Sequence, residues 1–414
     1  MSKKKKDLTK HQYAYKYRLY PTDKQKEYIH KHFGCSRFVY NWALGIKKDV
    51  YEDSKVSVNR GELQKILSWH LKKEYPFLKE VDSMSLIYSL KNLDTAFKNF
   101  FRRVKQGDGE VGYPKFKSKH HGSNSYQFHQ SYKIHIDENK NEGWIRPPKF
   151  TNGSIKKDLV DEEKIKMVTH RRPPKTAKGK TVTISKTPSG EYYASILFEW
   201  ETEREHRYKY NPTDKIVGID LGIKDFLITS DGNKYNLDDN IYNVTKKYNR
   251  IDRKLSRKRD RSNDWKNSNR YEKLKRRKAK YQRKITRIRE QNHYDIIHEI
   301  INNHKPKVIA VETLKVKNMV KNKRLSKSIS SQGWGMFIEK LQHKCDERGI
   351  TLVKIDQWFP SSQLCSSCGE KNKKVKDLSV RNWICSNCGD EHDRDVNSAK
   401  NIREKSKLIL DINN

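Results

Sequence analysis

The sequence predicts a multidomain protein in which an α+β N-terminal half precedes an α/β C-terminal half. In the N-terminal half, an alternating run from Tyr13 to Tyr20 predicts a β-strand, and residues 22–104 then place apolar side chains at helical spacing. In the C-terminal half, residues 307–356 follow a strand, helix, strand order. With 414 residues and 34% hydrophobic content, the chain can form two or three domains with cores of their own.

The N-terminal half divides into a β-domain and a helical insertion. Thr22 and Gln25 have the spacing of a capping box, which predicts a helix directly after the first strand. From 108 to 212 the chain shows short strand-like runs, and the clearest unit is a hairpin with strands at 181–186 and 192–199. We therefore expect a β-domain formed by residues 1–20 and 108–212, with a helical domain at 21–107.

Two acidic residues lie in short apolar runs of the C-terminal half. Asp220 stands in V-G-I-D-L-G, and Glu312 ends V-I-A-V-E. An ionised carboxylate in a buried strand is costly unless it is paired or binds a metal. Either residue alone could be an ordinary polar residue at a strand end, but two such positions favour a metal site. Because hard oxygen ligands suit Mg²⁺ or Mn²⁺, we expect one of these ions rather than zinc.

The order of elements around these carboxylates predicts an RNase H-like fold. A strand with Asp220 is followed by an antiparallel continuation, a later strand ending in Glu312, and a last helix at about 393–412. In this plan the sheet brings two carboxylates side by side and the helix start supplies a third, Asp395. Asp393 is a rival for Asp395, and the two would point to different faces of the helix. Such a set could hold one or two ions that hydrolyse a phosphodiester without a protein nucleophile.

Four of the six cysteines form two C-x-x-C pairs with 16 residues between them, which is the layout of a zinc ribbon. Gly369 and Gly389 follow the pairs, where a tight turn needs a residue that tolerates positive φ. Two matched pairs favour a closed, structural zinc site over a redox role. Cys35 and Cys345 lie in helix-like patterns and are predicted to be small buried hydrophobes. The predicted zinc ligands are Cys365, Cys368, Cys385 and Cys388.

The charge of the chain indicates a polyanionic partner. There are 90 lysines and arginines against 51 acidic residues, a formal charge of +39, which favours nucleic acid. Residues 246–290 hold 21 basic and five acidic residues with a thin apolar stripe that includes Leu255, Leu274 and Tyr281. This pattern predicts a basic helical hairpin that binds phosphates rather than a solvated charged face. Since no apolar run could span a bilayer and no signal peptide follows Lys3–Lys6, we expect a cytoplasmic protein without a membrane partner.

Seven motifs follow one another along nearly the whole chain: Y-R-L-Y-P-T, C-S-R-F-V-Y-N-W-A-L, Y-P-K-F-K-S-K, G-I-D-L-G, V-E-T-L-K-V-K-N-M, W-F-P-S-S-Q-L-C-S-S-C-G and H-D-R-D-V-N-S-A-K-N-I. In this order the chain resembles the TnpB proteins of insertion sequences, which are RNA-guided DNA nucleases related to compact type V CRISPR effectors. The family usually has Asn-Ala-Ala where this chain has Asn397-Ser398-Ala399. A small residue is kept, so we expect activity to be retained.

The resemblance implies roles for the residues singled out above. It makes Asp220, Glu312 and Asp395 a RuvC-type catalytic set with Mg²⁺ or Mn²⁺, favours Asp395 over Asp393, and makes the four cysteines ligands of a structural Zn²⁺. It also implies a wedge-type β-domain interrupted by a helical recognition domain. The remaining implied domains are a RuvC-like nuclease domain at 213–357 and 392–414, with the basic hairpin at 246–300, and a zinc ribbon at 358–391 that binds target nucleic acid.

The resemblance further implies partners and a location. The partners are a guide RNA from the element's own end, target double-stranded DNA with a short adjacent motif, and a separate transposase encoded by the same element. The expected location is the prokaryotic cytoplasm, with nucleoid association when DNA is bound. Tyr15, Tyr17, Tyr40 and Trp42 are candidates for stacking on unpaired bases, with core packing as the alternative.

Three other functions fit part of the pattern. A compact type V CRISPR effector would share these motifs, and a neighbouring repeat array in the genome would distinguish it. A non-cleaving RNA-guided repressor is disfavoured because all three carboxylates are present. A transposase that joins strands itself is disfavoured because the usual order of its acidic residues is two Asp followed by Glu.

Overall fold

A computed structural model describes most of the chain, which forms two compact units, residues 1–203 and 204–414. The lysine cluster Lys3–Lys6 and the middle of the predicted basic hairpin, 262–267, lie outside the described residues. The described ranges are 8–107, 111–119, 124–150, 161–203, 205–261, 268–377 and 379–412.

The first unit is built on a seven-stranded antiparallel sheet. Its strands are β1 (Thr9–Tyr20), β2 (Asn124–Phe128), β3 (Lys133–Ile136), β4 (Glu142–Arg146), β5 (Ile165–Val168), β6 (Lys178–Lys186) and β7 (Tyr192–Thr202). The strand order is β2-β6-β7-β1-β5-β4-β3, so the first strand of the chain lies in the middle of the sheet. Because β1 pairs with β7 and β5, one sheet combines residues from before and after the helices.

The predicted hairpin between β6 and β7 is confirmed. The two strands pair antiparallel from Lys178 opposite Glu199 to Lys186 opposite Tyr192. Gly190 adopts φ 89° in the connecting turn, a left-handed conformation that glycine reaches without strain. A short turn that contains Gly190 therefore connects the two strands in this register.

The aromatic side chains near the N-terminus belong to hydrophobic cores. Tyr15 and Tyr17 are buried in the core of the sheet, and the Tyr17 hydroxyl donates to the backbone oxygen of Arg171 at 2.8 Å. Tyr40 is buried among the helices, and Trp42 packs against the same cluster while partly exposed. Core packing, the alternative to base stacking, therefore applies to all four positions.

The helical region lies between β1 and β2. Its helices are α1 (Asp23–Ser54), α2 (Arg60–Ile66), α3 (Lys72–Glu74) and α4 (Ser83–Lys105). The predicted capping box is confirmed, since Thr22 Oγ1 accepts from the Gln25 amide and Gln25 Oε1 accepts from the Thr22 amide. Side chains at helical spacing, among them Val39, Leu86 and Leu90, are fully buried in one core.

The second unit is built on a mixed five-stranded sheet. Its strands are β8 (Ile216–Asp220), β9 (Leu227–Thr229), β10 (Lys234–Tyr235), β11 (Val308–Glu312) and β12 (Thr351–Ile355). The order is β10-β9-β8-β11-β12, with antiparallel pairing from β10 to β8 and parallel pairing from β8 to β12. This combination is the sheet of the RNase H-like plan.

Within the residues that the structure describes, six α-helices accompany this sheet. They are α5 (Asn240–Arg261), α6 (Asn269–His304), α7 (Val316–Met319), α8 (Ser326–Gln332), α9 (Trp334–Asp346) and α10 (Arg394–Ile412). Helices α9 and α10 and the pair α5 and α6 lie where the sequence predicts helices, whereas α7 and α8 were not predicted. Within the described ranges, no helix is both long enough and apolar enough to cross a membrane.

Both faces of β11 are buried, which explains its uninterrupted apolar sequence. Ile309 and Val311 face a large core that includes Phe337 of α9. Val308 and Ala310 face a smaller core that includes Ile402 of α10. A parallel strand that is covered on both faces has apolar residues at nearly every position. The charged residue Glu312 at the end of β11 is an exception to this pattern.

A small hairpin module lies between β12 and α10. It contains β13 (Asn382–Ile384) and β14 (Glu391–Asp393), which pair antiparallel. Its buried core consists of Cys365, Val375, Trp383 and Cys385. So small a core gives little stability by itself, so a bound metal ion is expected to hold the module together.

Candidate active site and zinc centre

Asp220 and Glu312 lie side by side at one edge of the mixed sheet. Asp220 is the last residue of β8, and Glu312 is the last residue of β11. The two strands are parallel, with Ile219 opposite Val311, so the next residue of each strand falls at the same edge. Neighbouring strands are ~4.8 Å apart, which brings the two carboxylates together as the RNase H-like plan predicts. The carboxyl edge of such strands is a common location for ligands.

Both carboxylates have strongly raised pKa values. Asp220 is partly exposed but surrounded by protein, and burial, with the nearby charges of Glu312 and Asp395, raises its pKa from 3.8 to about 7. Burial alone raises the pKa of Glu312 from 4.5 to about 7. Holding both residues ionised at neutral pH is therefore unfavourable unless a cation lies between them.

Helix α10 brings a third carboxylate towards this edge because it lies very close to β8. A Cβ atom added to Gly218 would come within 2.1 Å of the Ala399 backbone oxygen and 2.8 Å of the Arg403 backbone nitrogen. Only glycine permits this approach, which positions the first turn of α10 beside Asp220. A hydrogen bond from Ser398, in the same helix, offsets part of the rise in the pKa of Asp220.

Asp393 and Asp395 have different partners. Asp393 caps α10, since its Oδ1 accepts from the backbone nitrogens of Asp395 at 3.0 Å and Val396 at 3.2 Å. Its Oδ2 also pairs with Lys234 Nζ at 2.7 Å. Asp395 instead has its Oδ2 3.2 Å from Arg381 Nη1, and its charge acts on Asp220. Asp393 thus caps the helix and pairs with Lys234, whereas Asp395 is the residue whose charge acts on Asp220.

The three carboxylates suit a divalent cation with oxygen ligands. Their donor atoms are all hard oxygens, and their mutual repulsion is what such an ion would relieve. In the part of the chain that the structure describes, their oxygens do not form a set lying within 4.8 Å of one another. The Arg381 guanidinium lies against Asp395, where it supplies a positive charge of its own.

The four predicted zinc ligands do form such a set. The sulfurs of Cys365, Cys368, Cys385 and Cys388 all lie within 4.8 Å of one another. Cys365 Sγ is 3.6 Å from Cys388 Sγ, and Cys368 Sγ is 3.6 Å from Cys385 Sγ. Zinc–sulfur bonds of ~2.3 Å in a tetrahedron place sulfurs ~3.8 Å apart, so these residues fit a structural zinc.

Both knuckle glycines support this cluster. Gly369 adopts φ 79° and Gly389 adopts φ 78°, as the sequence predicts. Their backbone nitrogens donate to the backbone oxygens of Cys365 and Cys385, at 2.9 and 3.0 Å. Each turn therefore folds its C-x-x-C pair so that both sulfurs face the same point.

The sequence did not indicate a role for His392, nor the contacts that Asn397 makes beside the zinc ribbon. His392 is buried, with its Nε2 3.0 Å from Cys365 Sγ and its ring 4.7 Å from that of Trp383. Asn397 donates to the Leu364 backbone oxygen at 2.6 Å and thereby ties α10 to the first knuckle. The H-D-R-D-V-N-S motif contains both residues, but only tertiary contacts reveal what they touch.

Helices α5 and α6 form a long basic pair. Ile251, Leu255 and Tyr271 are buried between them, with Leu274 and Tyr281 partly buried beside them, so the predicted apolar stripe is confirmed. Like charges recur along one side of α5, where a groove of about 630 Å³ is lined mainly by Lys246, Arg250, Arg253, Lys254 and Arg257. Like charges on adjacent turns repel one another, which favours an anionic ligand along this face.

Three family models match parts of the chain. Residues 334–402 match "Cas12f1-like, TNB domain", residues 197–323 match "Probable transposase", and residues 11–55 match "Helix-turn-helix domain". In this structure the last of these segments consists of strand β1 followed by the single helix α1.

Similar proteins and structures cover most of the chain. A Streptomyces pristinaespiralis protein named "Putative RNA-guided DNA endonuclease" is 34% identical, over 94% of this chain and 88% of that protein. An Escherichia coli (strain K12) protein, "Putative RNA-guided DNA endonuclease InsQ", is 28% identical over 96% and 93%. The solved structure of the mini-RNA-guided endonuclease CRISPR-Cas_phi3 has a TM-score of 0.50 at 10% identity, covering 95% of this chain and 92% of that one.

The mixed sheet, the carboxylate edge and the structural similarity define a multidomain protein with a RuvC-type, RNase H-like fold. The similarity over nearly full length settles the family. The chain belongs to the TnpB family, in agreement with the resemblance seen in its motifs.

Proposed function

We propose that this protein is an RNA-guided DNA endonuclease of a transposable element. It hydrolyses target DNA with Mg²⁺ or Mn²⁺ after the guide pairs with the target and a short adjacent motif is recognised. The observation that carries the proposal is the pair of carboxylates at the sheet edge, whose pKa values are raised to about 7. Full-length relatives that are named as RNA-guided DNA endonucleases support the same reading.

Asp220, Glu312 and Asp395 are the proposed catalytic residues and would hold the catalytic ions. Such ions, when bound, activate water and stabilise the leaving oxygen of a phosphodiester. Asp220 and Glu312 supply ligand oxygens from a rigid sheet edge, and Ser398 orients Asp220 through its hydroxyl. The cost of burying these charges without a cation favours ion binding at this edge.

The rest of the chain holds nucleic acid in this proposal. The β-domain and its helical insertion serve as wedge-type and recognition domains, and α5 and α6 bind the backbone phosphates of guide RNA or target DNA. The ribbon, held by a structural Zn²⁺ on the four cysteines, binds target nucleic acid beside the cutting site. The separate transposase has no support in the comparisons and forms no part of the proposal.

The test uses the ribonucleoprotein purified together with its co-expressed RNA. Sequencing that RNA identifies the guide, and a DNA duplex that matches the guide is then the substrate. We expect Mg²⁺-dependent cutting by the wild type, and we expect Asp220→Ala to retain RNA and lose cutting. Asp395→Asn should also lose cutting.

Asp393→Asn is the matched control, because asparagine caps a helix as well as aspartate does. It should keep most of the cutting activity while it removes only the ion pair with Lys234. Continued cutting by Asp220→Ala would contradict the assignment of the site. Loss of cutting in Asp393→Asn with normal cutting in Asp395→Asn would exchange the roles of these two residues.

A further inference from the structure

Trp358 is the most exposed large hydrophobic side chain among the described residues. Its exposed fraction is 81%, compared with 68% for Trp69, which ranks next. Single apolar side chains on a surface are common and need no function. The location and the contacts of Trp358 distinguish it from such cases.

The loop that carries Trp358 borders the carboxylate edge. It leaves the sheet after Ile355, which lies opposite Glu312 in the parallel register of β11 and β12. A few residues later, Ser361 Oγ is 2.9 Å from Ser398 Oγ, and Ser398 hydrogen-bonds Asp220. The loop therefore passes from the strand beside Glu312 to the helix beside Asp220.

Neighbouring contacts anchor the loop and engage the indole nitrogen. The Trp358 backbone nitrogen donates to Asp356 Oδ1 at 2.8 Å. Phe359 packs against the core formed by β11, β12 and α10, so the side chain next to Trp358 is anchored while Trp358 points outward. With the Gln357 amide in the orientation that forms both bonds, its oxygen accepts from the indole nitrogen at 3.1 Å and from Lys315 Nζ at 2.9 Å.

This arrangement has the features of a stacking site for a nucleobase. The indole nitrogen is engaged by Gln357 while most of the ring stays exposed, so the ring offers an apolar face for stacking. Lys315 supplies a positive charge beside the ring, which suits the phosphate that follows a base. Bases stack on aromatic rings with little sequence preference, as a guide-programmed site requires.

We infer that Trp358 stacks on a base of the DNA strand next to the phosphodiester that is cut. The inference rests on the proposed function and adds a substrate-binding residue to it. The ligand class is single-stranded DNA at the carboxylate edge, because a base inside a duplex has both faces covered by its stacked neighbours and cannot lie on the ring. Stacking of this kind contributes about 5- to 150-fold in affinity per base.

The test is a scan of the DNA substrate with single abasic sites, cut by the guide-loaded ribonucleoprotein. For the wild type, one abasic site close to the cut should lower kcat/KM by about 10-fold. In Trp358→Ala the same abasic site should cause less than about a 2-fold further loss, since the partner of the base is already missing. Trp358→Phe, which keeps an aromatic face, should restore most of the wild-type profile.

A second readout does not depend on cutting. With 2-aminopurine at the sensitive position and divalent ions omitted, binding should quench its fluorescence in the wild type and in Trp358→Phe but not in Trp358→Ala. Leu408→Ala is the control, because it removes another exposed apolar side chain of the same unit, near the end of α10 and outside the elements assigned to nucleic acid, and it should leave both readouts unchanged.

The outcomes separate this inference from the proposed function. If the ribonucleoprotein does not cut matched DNA at all, the proposed function fails. If it cuts but every abasic site affects Trp358→Ala as strongly as the wild type, stacking by Trp358 is wrong and the function stands. A Trp358→Phe variant that behaves like Trp358→Ala would also overturn the inference.

Discussion

The four cysteines and the three carboxylates both offer the donor atoms of a metal site, yet the protein arranges them in opposite ways. The cysteine sulfurs already lie within 4.8 Å of one another, positioned by two glycine turns and a short hairpin. The carboxylates come from three distant elements, repel one another, and include Asp395, which lies against Arg381. The four sulfurs already lie close enough together to bind one ion, whereas the three carboxylates do not.

The difference reflects what each site has to do. A structural zinc gives its folding energy to a module with a small core, so its ligands are gathered by local turns. In the proposed function a catalytic ion must bind and also admit substrate, which agrees with ligands held apart at the edge of a rigid sheet at a cost in charge repulsion. Removing a cysteine should therefore destabilise the zinc-loaded protein, whereas removing the charge of a carboxylate should stabilise the protein when no Mg²⁺ is bound.

The largest effect is expected from Cys385→Ser. Loss of one thiolate from a closed four-sulfur site removes most of a binding free energy of roughly 10 kcal/mol or more. Bound zinc, measured by elemental analysis, should fall from about one per chain to nearly none, and residues 358–391 should become sensitive to protease. Cys35→Ala, which removes a buried cysteine far away in sequence, should keep its zinc. Full zinc content in Cys385→Ser would refute the predicted ligand set.

Asp220→Asn should have the opposite sign in metal-free protein. Asparagine removes the charge whose burial is unfavourable and retains a side-chain oxygen that can accept from Ser398. We expect the metal-free variant to be more stable than the wild type by about 1 to 4 kcal/mol at about pH 8, as measured by chemical denaturation. A variant that is less stable than the wild type would show that the carboxylate pair is not strained in the absence of metal.

Arg381→Gln should produce the smallest change. Arg381 is half-exposed, and its pairing with Asp395 is worth only a fraction of a kcal/mol to about 1 kcal/mol. Removal of this competing cation should raise the affinity for Mn²⁺ about two- to five-fold in a titration followed by electron paramagnetic resonance. Arg60→Gln, an exposed arginine of the first unit, serves as control. Weaker Mn²⁺ binding in Arg381→Gln would mean that this arginine supports the ion site.

Local sequence signals predicted the parts of both sites that depend on local structure. The C-x-x-C spacing, together with Gly369 and Gly389, is sufficient to predict both turns, because each turn involves only a few neighbouring residues. The placement of Asp220 beside Glu312 follows from one general rule, that parallel strands end at a common edge.

Contacts between distant elements could not be predicted in this way. The Arg381 pairing with Asp395 and the closeness of α10 to Gly218 depend on how the ribbon and the helix sit on the sheet. The burial of Tyr17 could not be predicted either, since an alternating strand pattern does not show which face of the sheet will be covered. Helix α8 is short and polar, so its sequence lacks the periodic apolar pattern that marks a helix.

The most direct test of the central claim is the pH dependence of stabilisation by Mg²⁺. The pKa values of Asp220 and Glu312 are about 7 in the folded protein and near 4 when unfolded, so the metal-free protein loses stability as pH rises from about 4 to 7. Mg²⁺ should offset this loss, and the rise in Tm that it causes should be large at about pH 8, small at about pH 5.5, and absent in Asp220→Asn. An equal rise at both pH values, or an undiminished rise in Asp220→Asn, would contradict a metal site at this edge.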